Sequence, residues 1–582
     1  MRLCSRILLA AAIPMVAAAC ASNPSNTGAG AGGGTTSGST SSSGSPSSGS
    51  GSQGTSGSSS GGGSSGTNGG SSGNGGPGSS NSSGGGASDG GGGGEAGGGN
   101  PVVNLDQTDQ TIEGFGINDM YISAAFTQSV FDSLFDADAG IGLSILRVGM
   151  DTAGAGMLES SGMTTDIQNV EKAGGKVIGS VWTPPMNCKT NDNPDNGGQL
   201  CSANNISIPA EGTNQCTSTG TTSDDATCYN SWANTIATFA NTNGLYAMSL
   251  ANEPDFASCG TNEPCNGNYP TAVYTADEMV AFVKVAKPIF QKVAPNTLII
   301  APEASEWNHL WSNDSACGSV DGDKSSDPLN CGCFVTNPYS TPVSATCTAA
   351  ASAPCSSACT SGNGYDYGDA LHADSTAWAD FDLVGIHEYD TQVAFPWPSA
   401  FAKDKQLWVT EMAGVKWWPE QGPTSDINDG VVVAEWIHSA LVTGEASAWL
   451  WWWYQAQTTN DNEGLLLQDG TDTKRHYTLG NFSKFIRPGY VRVIVSGSAP
   501  SGVDLSAYAS PSDSTVVVVA INTNASAVSV PIAIAGGTAP SQVTPWVTSA
   551  TDNLVAQTPV AVSGSSFTAA LGATTVTTFV GN

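Results

Sequence analysis

From Ile112 onward, short apolar runs alternate with segments of helical periodicity, the signature of β/α units. Eight runs predict strands: Thr111–Gly116, Leu143–Met150, Lys176–Pro185, Leu245–Pro254, Thr297–Glu303, Phe381–Asp390, Gln406–Met412 and Ala446–Tyr454. Between the fourth and fifth, Thr275–Val293 places Met279, Phe282, Val283, Ala286, Ile289 and Phe290 at helical spacing, and Gly430–Val442 does the same after the seventh. This order predicts an α/β fold, a (β/α)8 TIM barrel. After Asn481–Pro488 the period changes. Tyr490–Ser496, Val503–Ala509, Thr515–Asn522, Ala527–Ala535, Val543–Thr548 and Thr574–Val580 alternate at period two between turns, which predicts an appended antiparallel β-sandwich. Val102–Leu105, ahead of the barrel, is a strand-like candidate to join it.

The first hundred residues carry no such pattern. Arg2 and Arg6, the apolar run Ile7–Val16 and the small residues Ala17–Ala19 read as an export signal. Cys20 follows directly and resembles the lipidated cysteine of bacterial lipoproteins; plain signal cleavage beside an incidental Cys is the alternative. Residues 21–100 are almost entirely Gly, Ser, Thr and Asn, too poor in apolar groups to fold. A coil of that length spans roughly 50 Å root-mean-square, a suitable tether for a domain held off a surface. The expected division is therefore signal 1–20, linker 21–100, barrel 101–489 with 101–110 as candidate sandwich residues, and sandwich 490–582. The expected location is outside the cell or on its surface, with the membrane touched only through a lipid on Cys20.

The 582 residues carry a net charge of −32, from 50 acidic and 18 basic side chains. Nucleic acid is thereby an improbable partner, because phosphate contacts need clustered Lys and Arg. Of the 14 Cys, those from Cys188 to Cys359 form an even set in an exported chain, which implies disulfides whose pairing sequence does not reveal. The Cys-rich, Ser/Thr-rich segments after strands three and five read as stapled loops over one face of the barrel. Cys331-Gly332-Cys333 has no His nearby and is not read as a metal pair.

Two strand ends carry the chemistry. Leu245–Pro254 runs from apolar residues into Asn252-Glu253-Pro254, and Leu407–Glu411 ends in a second carboxylate. Catalytic groups of β/α barrels sit at the carboxyl ends of strands, and a pair of carboxylates is what glycoside hydrolysis requires. Asn262-Glu263-Pro264 repeats the first motif without a preceding strand and reads as a loop bend. Arg147, at the end of strand two, is placed to orient Glu411 or to make a purely structural ion pair. His387 and Tyr389 share one face of strand six and are candidates to support a nucleophile. Trp182 and one ring of Trp451–Tyr454, with Trp453 preferred, are candidate platforms for the C–H faces of a sugar.

Taken as a set, Ile112–Gly116, Leu146-Arg147, Trp182–Pro185, Asn252–Pro254, Trp408–Glu411 and Lys484–Arg492 resemble glycoside hydrolase family 30, nearest its bacterial xylanase-like branch. The resemblance covers residues 101–582 and implies a retaining glycosidase whose acid/base is Glu253 and whose nucleophile is Glu411. It places Asn252 beside the sugar 2-hydroxyl. The expected partner is a polysaccharide, and no cofactor or metal is expected. Xylan is the leading substrate, with β-1,6-galactan or β-1,6-glucan as alternatives within the family. An inactive polysaccharide-binding surface lipoprotein is the alternative of another class. Glucuronoxylan-specific members carry basic residues after the strand-eight Trp-Trp-Tyr, where this chain has Gln455-Ala456-Gln457; the nearest cation, Arg475, is the candidate substitute for them.

Overall fold

The computed structural model describes residues 99–582 apart from 122–123, 151–161, 190–193, 195–199, 202–223, 256–269, 306, 308–309, 311–366, 390–398, 415–425 and 457–462. The export signal, Cys20, nearly all of the linker, Asn262–Pro264 and most of the cysteines lie outside the described residues.

After β1 (Val102–Thr111), eight parallel strands close into a barrel. They are β2 (Gly114–Asn118), β3 (Ile145–Met150), β4 (Lys176–Val181), β5 (Ala247–Ser249), β6 (Leu298–Ile300), β7 (Leu383–His387), β8 (Gln406–Glu411) and β9 (Ala448–Gln455). Neighbours follow chain order, and β9 pairs with both β8 and β2 to shut the ring. Each run read as a strand supplies one of these. The ladders are shorter than the apolar runs, because the residues beyond them bend to build the site. Strands buried on both faces must be apolar throughout, which is why these segments lack the alternation of a half-exposed sheet. A short β10 (Gly464–Leu466) adds to the outer side of β9.

The helices are α1 (Gln128–Phe135), α2 (Met163–Lys172), α3 (Asp224–Thr242), α4 (Ala276–Val293), α5 (Tyr367–Ala373), α6 (Ser375–Ala379), α7 (Ser399–Ala402), α8 (Ile427–Val442) and α9 (Lys474–Ser483). α4 starts at a capping box: Thr275 Oγ1 accepts from Glu278 N–H, and the Glu278 carboxylate accepts from Thr275 N–H. Its Met279, Phe282, Val283, Ala286 and Phe290 are buried, the stripe that its periodicity requires. A disulfide, Cys188–Cys228, ties the segment after β4 to α3.

The C-terminal strands are β11 (Val491–Ser496), β12 (Val503–Ala509), β13 (Val516–Asn522), β14 (Val528–Ala535), β15 (Gln542–Thr548), β16 (Val555–Ala556), β17 (Val560–Ala561), β18 (Ser566–Leu571) and β19 (Thr575–Gly581). With β1 they form a ten-stranded sheet curled over its own core of Val103, Val493, Val518, Ile532, Phe567 and Phe579. β1 sits between β11 and β14, antiparallel to one and parallel to the other. Asn481 on α9 fastens barrel to sandwich: its amide donates to Trp546 O and Thr578 Oγ1, and Thr548 Oγ1 donates to its Oδ1.

Arg475 corrects one expectation. It does not stand in for the missing basic residues near Gln455, because its guanidinium is fully buried. Its Nε donates to Asp429 at 2.5 Å, and the Trp451 ring lies 5.6 Å from its carbon centre. Arg475→Met leaves Asp429 without its partner and is expected to lower stability by about 3 kcal/mol. Urea unfolding measures that loss, and the relative rates on branched and unbranched substrates are expected to stay unchanged.

Candidate active site

Five strand ends and one mid-strand residue converge at the mouth of the barrel. Arg147 lies within β3 and is completely buried. Its Nη1 donates to Glu411 Oε2 at 2.7 Å and to Asn118 Oδ1 at 3.0 Å, and its Nη2 donates to Asn252 Oδ1 at 2.7 Å. Its Nε is 3.2 Å from Glu303 Oε1. One cation thus gathers the end of β2, the loop after β5, the loop after β6 and the last residue of β8. Of the two readings open for Arg147, the one that orients Glu411 agrees with this geometry.

Glu411 is the final residue of β8 and also accepts the Tyr389 hydroxyl at 2.8 Å. Glu253 lies four residues past β5, with a left-handed backbone (φ 45°) that swings its carboxyl across the opening. His387 Nδ1 is 3.0 Å from Glu253 Oε1 and 3.8 Å from Glu411 Oε1, so the imidazole bridges the two acids. His387 and Tyr389 therefore divide the work that sequence left open between them, Tyr389 on Glu411 and His387 closer to Glu253. One oxygen of each glutamate and the His387 nitrogen lie within 4.8 Å of one another. Retaining glycosidases hold their carboxyls roughly 5–5.5 Å apart, and inverting enzymes need a wider gap for water. The same trio satisfies the spacing of a metal site, but its donors are already engaged with each other and with Arg147 and Tyr389.

The electrostatics separate the two acids. Burial pushes Glu253 up to about 8; the Asp255 charge adds to this, and Arg147 works against it. Asp255, not Glu411, is thus the leading charge behind the raised value. Burial also raises Glu411, opposed by His387 and Arg147. Burial lowers His387, which favours the neutral ring.

Aromatic rings wall the site. Arg147 stacks over Trp182 at 5.1 Å, and Trp182 packs 6.1 Å from Trp452. Trp453, the ring preferred from sequence, is buried and stacks on Trp452 at 5.3 Å. The β2–β9 register slips between Ile117–Trp451 and Asn118–Trp453, so Trp452 is a bulge residue and simple alternation fails there. Trp452 is accordingly the ring beside Trp182.

Sequence reasoning did not single out Asn118, Asp255 or Glu303. Glu303 carried a usable signal. Thr297–Glu303 is an apolar run ending in a carboxylate, as on strands four and seven.

No family model matches the chain. Glucuronoxylanase XynC of Bacillus subtilis strain 168 is 28% identical over 499 residues, spanning 82% of this chain and 91% of that protein. The crystal structure of Xyn30A, a glycoside hydrolase family 30 subfamily 8 xylanase from Clostridium acetobutylicum, matches with TM-score 0.60 and 25% identity, over 83% of this chain and 99% of that one. A family 30 endoxylanase from Clostridium papyrosolvens matches with TM-score 0.57 and 25% identity, over 83% and 100%. These likenesses support glycoside hydrolase family 30, with its xylanase-like branch, for this chain. The chain is a glycosidase of the retaining clan, and its fold and reaction class agree with the carboxylate spacing. Among the described residues, no helix is long and apolar enough to cross a membrane.

Proposed function

We propose that this glycosidase is an exported xylanase that cleaves β-1,4-linked xylan from within the chain. The observation that carries the reading is the pair Glu253 and Glu411, which share one imidazole at the tips of β5 and β8. The relatives are named as xylanases, which supports xylan over the β-1,6-linked alternatives. Export rests on the signal-like residues 1–20, with lipidation of Cys20 as its finer form.

In this reading Glu253 begins as the acid. Its raised pKa keeps a proton on the carboxyl near neutral pH, ready for the oxygen of the leaving sugar. Glu411, held by Arg147 and Tyr389, attacks the anomeric carbon from the opposite face and forms a glycosyl-enzyme. Glu253, now ionised, takes a proton from water, which hydrolyses that intermediate with net retention. Asn252 holds its amide oxygen on Arg147, leaving its NH₂ group for the sugar 2-hydroxyl. Trp182 and Trp452 or Trp453 supply apolar area for the ring faces.

Incubation with linear xylan, glucuronoxylan, β-1,6-galactan and β-1,6-glucan, followed by reducing-sugar assay, tests the assignment. Release from both xylans with the anomeric configuration retained in the first product is expected; turnover confined to the β-1,6 substrates, or binding without turnover, overturns it. Gln455 stands where glucuronate-dependent members are basic, and its amide is bonded to Gln468 O. Hydrolysis of linear xylan is therefore expected without glucuronic acid branches. Tyr389→Phe removes one donor to a charged carboxylate and is expected to reduce kcat on xylan by about tenfold.

A further inference from the structure

The mechanism leaves the buried acid Glu303 without a task. Glu303 follows β6 by three residues, is fully excluded from water and adopts a left-handed backbone (φ 61°). Four contacts fix it. Its carboxylate lies 3.2 Å from Arg147 Nε and accepts the Ser180 hydroxyl at 2.5 Å. Its N–H donates to Gly385 O at 3.1 Å, and its own carbonyl accepts the Glu253 N–H at 3.0 Å. Side chain and main chain therefore serve opposite halves of the catalytic pair. Through Arg147 the side chain reaches Glu411, and through its carbonyl the backbone reaches Glu253.

We propose that Glu303 is a positioning residue for the glycosidase reaction: its carboxylate shares the charge of Arg147 with Glu411, and its carbonyl anchors the loop that carries Glu253. The proposal deepens the assignment of those two glutamates and rests on it. Its physical content is charge arithmetic in a dry site. Arg147 is the full cation in contact with Glu411, and alone it would hold that carboxylate as a tight, poorly nucleophilic pair. A second anion on the same guanidinium weakens that hold while keeping the fork of donors in place. Burial works to raise Glu303, but Arg147, His387 and the hydroxyls of Ser180 and Ser249 outweigh it, so the group stays ionised.

The same charge acts on the acid. Glu253 faces Asp255, Glu303 and Glu411 as like charges or potential ones, Arg147 as the opposing cation, and His387 and Tyr389 as neighbours. Removing the Glu303 charge deletes one repulsion and leaves Arg147 less compensated. Both changes favour ionised Glu253, so its pKa must fall.

Glu303→Gln tests this, because it keeps shape and removes charge. In protein labelled with ¹³C at the glutamate carboxyl, the Glu253 resonance, assigned by its absence from Glu253→Gln, is expected to titrate roughly one pH unit lower in Glu303→Gln than in the parent. The alkaline limb of kcat/KM should move by the same amount. Glu303→Asp keeps the charge but retracts it; it is expected to leave the titration near its parent value while kcat falls about a hundredfold through misplacement of Arg147. Ser180→Ala strips a donor from the Glu303 carboxylate without removing its charge, so it is expected to move the Glu253 midpoint slightly upward, and it serves should Glu303→Gln not fold. An unmoved Glu253 titration in folded Glu303→Gln, or an unmoved or lowered midpoint in Ser180→Ala, overturns the proposal. The carboxyl titration needs no turnover. If Glu253→Gln and Glu411→Gln both retain activity, it is the assignment of the catalytic pair that fails, whichever way the titration falls.

Discussion

Glu411→Gln is expected to reduce kcat on xylan by more than about 10⁴-fold, a loss of roughly 5.5 kcal/mol of transition-state stabilisation. The amide cannot attack the anomeric carbon, and it no longer answers the charge of Arg147 and the donor of Tyr389, which hold the carboxylate at 2.7 and 2.8 Å. Glu411→Gly makes a sharper test, since it opens a space on the attacking face. Azide entering that space displaces an activated leaving group in one step, so the expected product is the glycosyl azide of inverted configuration. Azide restoring activity with retention would transfer the nucleophilic role to another residue.

Glu253→Gln is expected to cost 10²–10⁴-fold on xylan, in the range of a lost general acid. The loss should depend on the leaving group. A dinitrophenyl glycoside departs without protonation, so its first step survives and the glycosyl-enzyme accumulates as a burst of dinitrophenol. The pH profile supplies a second readout. Parent kcat/KM requires Glu253 protonated and should fall as pH rises through about 8, the value to which burial and Asp255 push this carboxyl. In Glu253→Gln with the activated substrate, that alkaline limb should disappear. A profile that keeps the limb would place the titrating acid elsewhere.

How much of this was readable in the residues differs from part to part. The eight barrel strands are legible because each is buried on both faces and therefore written as a continuous apolar run. Glu253 and Glu411 are legible because such runs end on them. β18 (Ser566–Leu571) was not foreseen, since its small residues alternate too weakly to stand out from a loop. Trp452 escaped because a bulge in β9 breaks the two-residue period on which facing was judged. Glu303 also ends such a run, so its position was legible while its role was not. Its role arises from meeting Arg147, which lies far away in sequence, and no local pattern encodes a shared guanidinium. Arg475 was misjudged likewise: proximity to Gln455 suggested a substitute for the missing basic residues, whereas Asp429 and Trp451 close over it.

The place of β1 between β11 and β14 has a bearing on how the polypeptide is made. A ribosome delivers Val102 long before Ser496, its pairing partner, so the earliest strand must wait unmated while the whole ring is translated. Folding of the terminal lobe is in this sense sealed by the strand that leads into the barrel. A fragment starting at residue 490 would expose the flanks of β11 and β14 to one another's copies, and self-association is its expected fate.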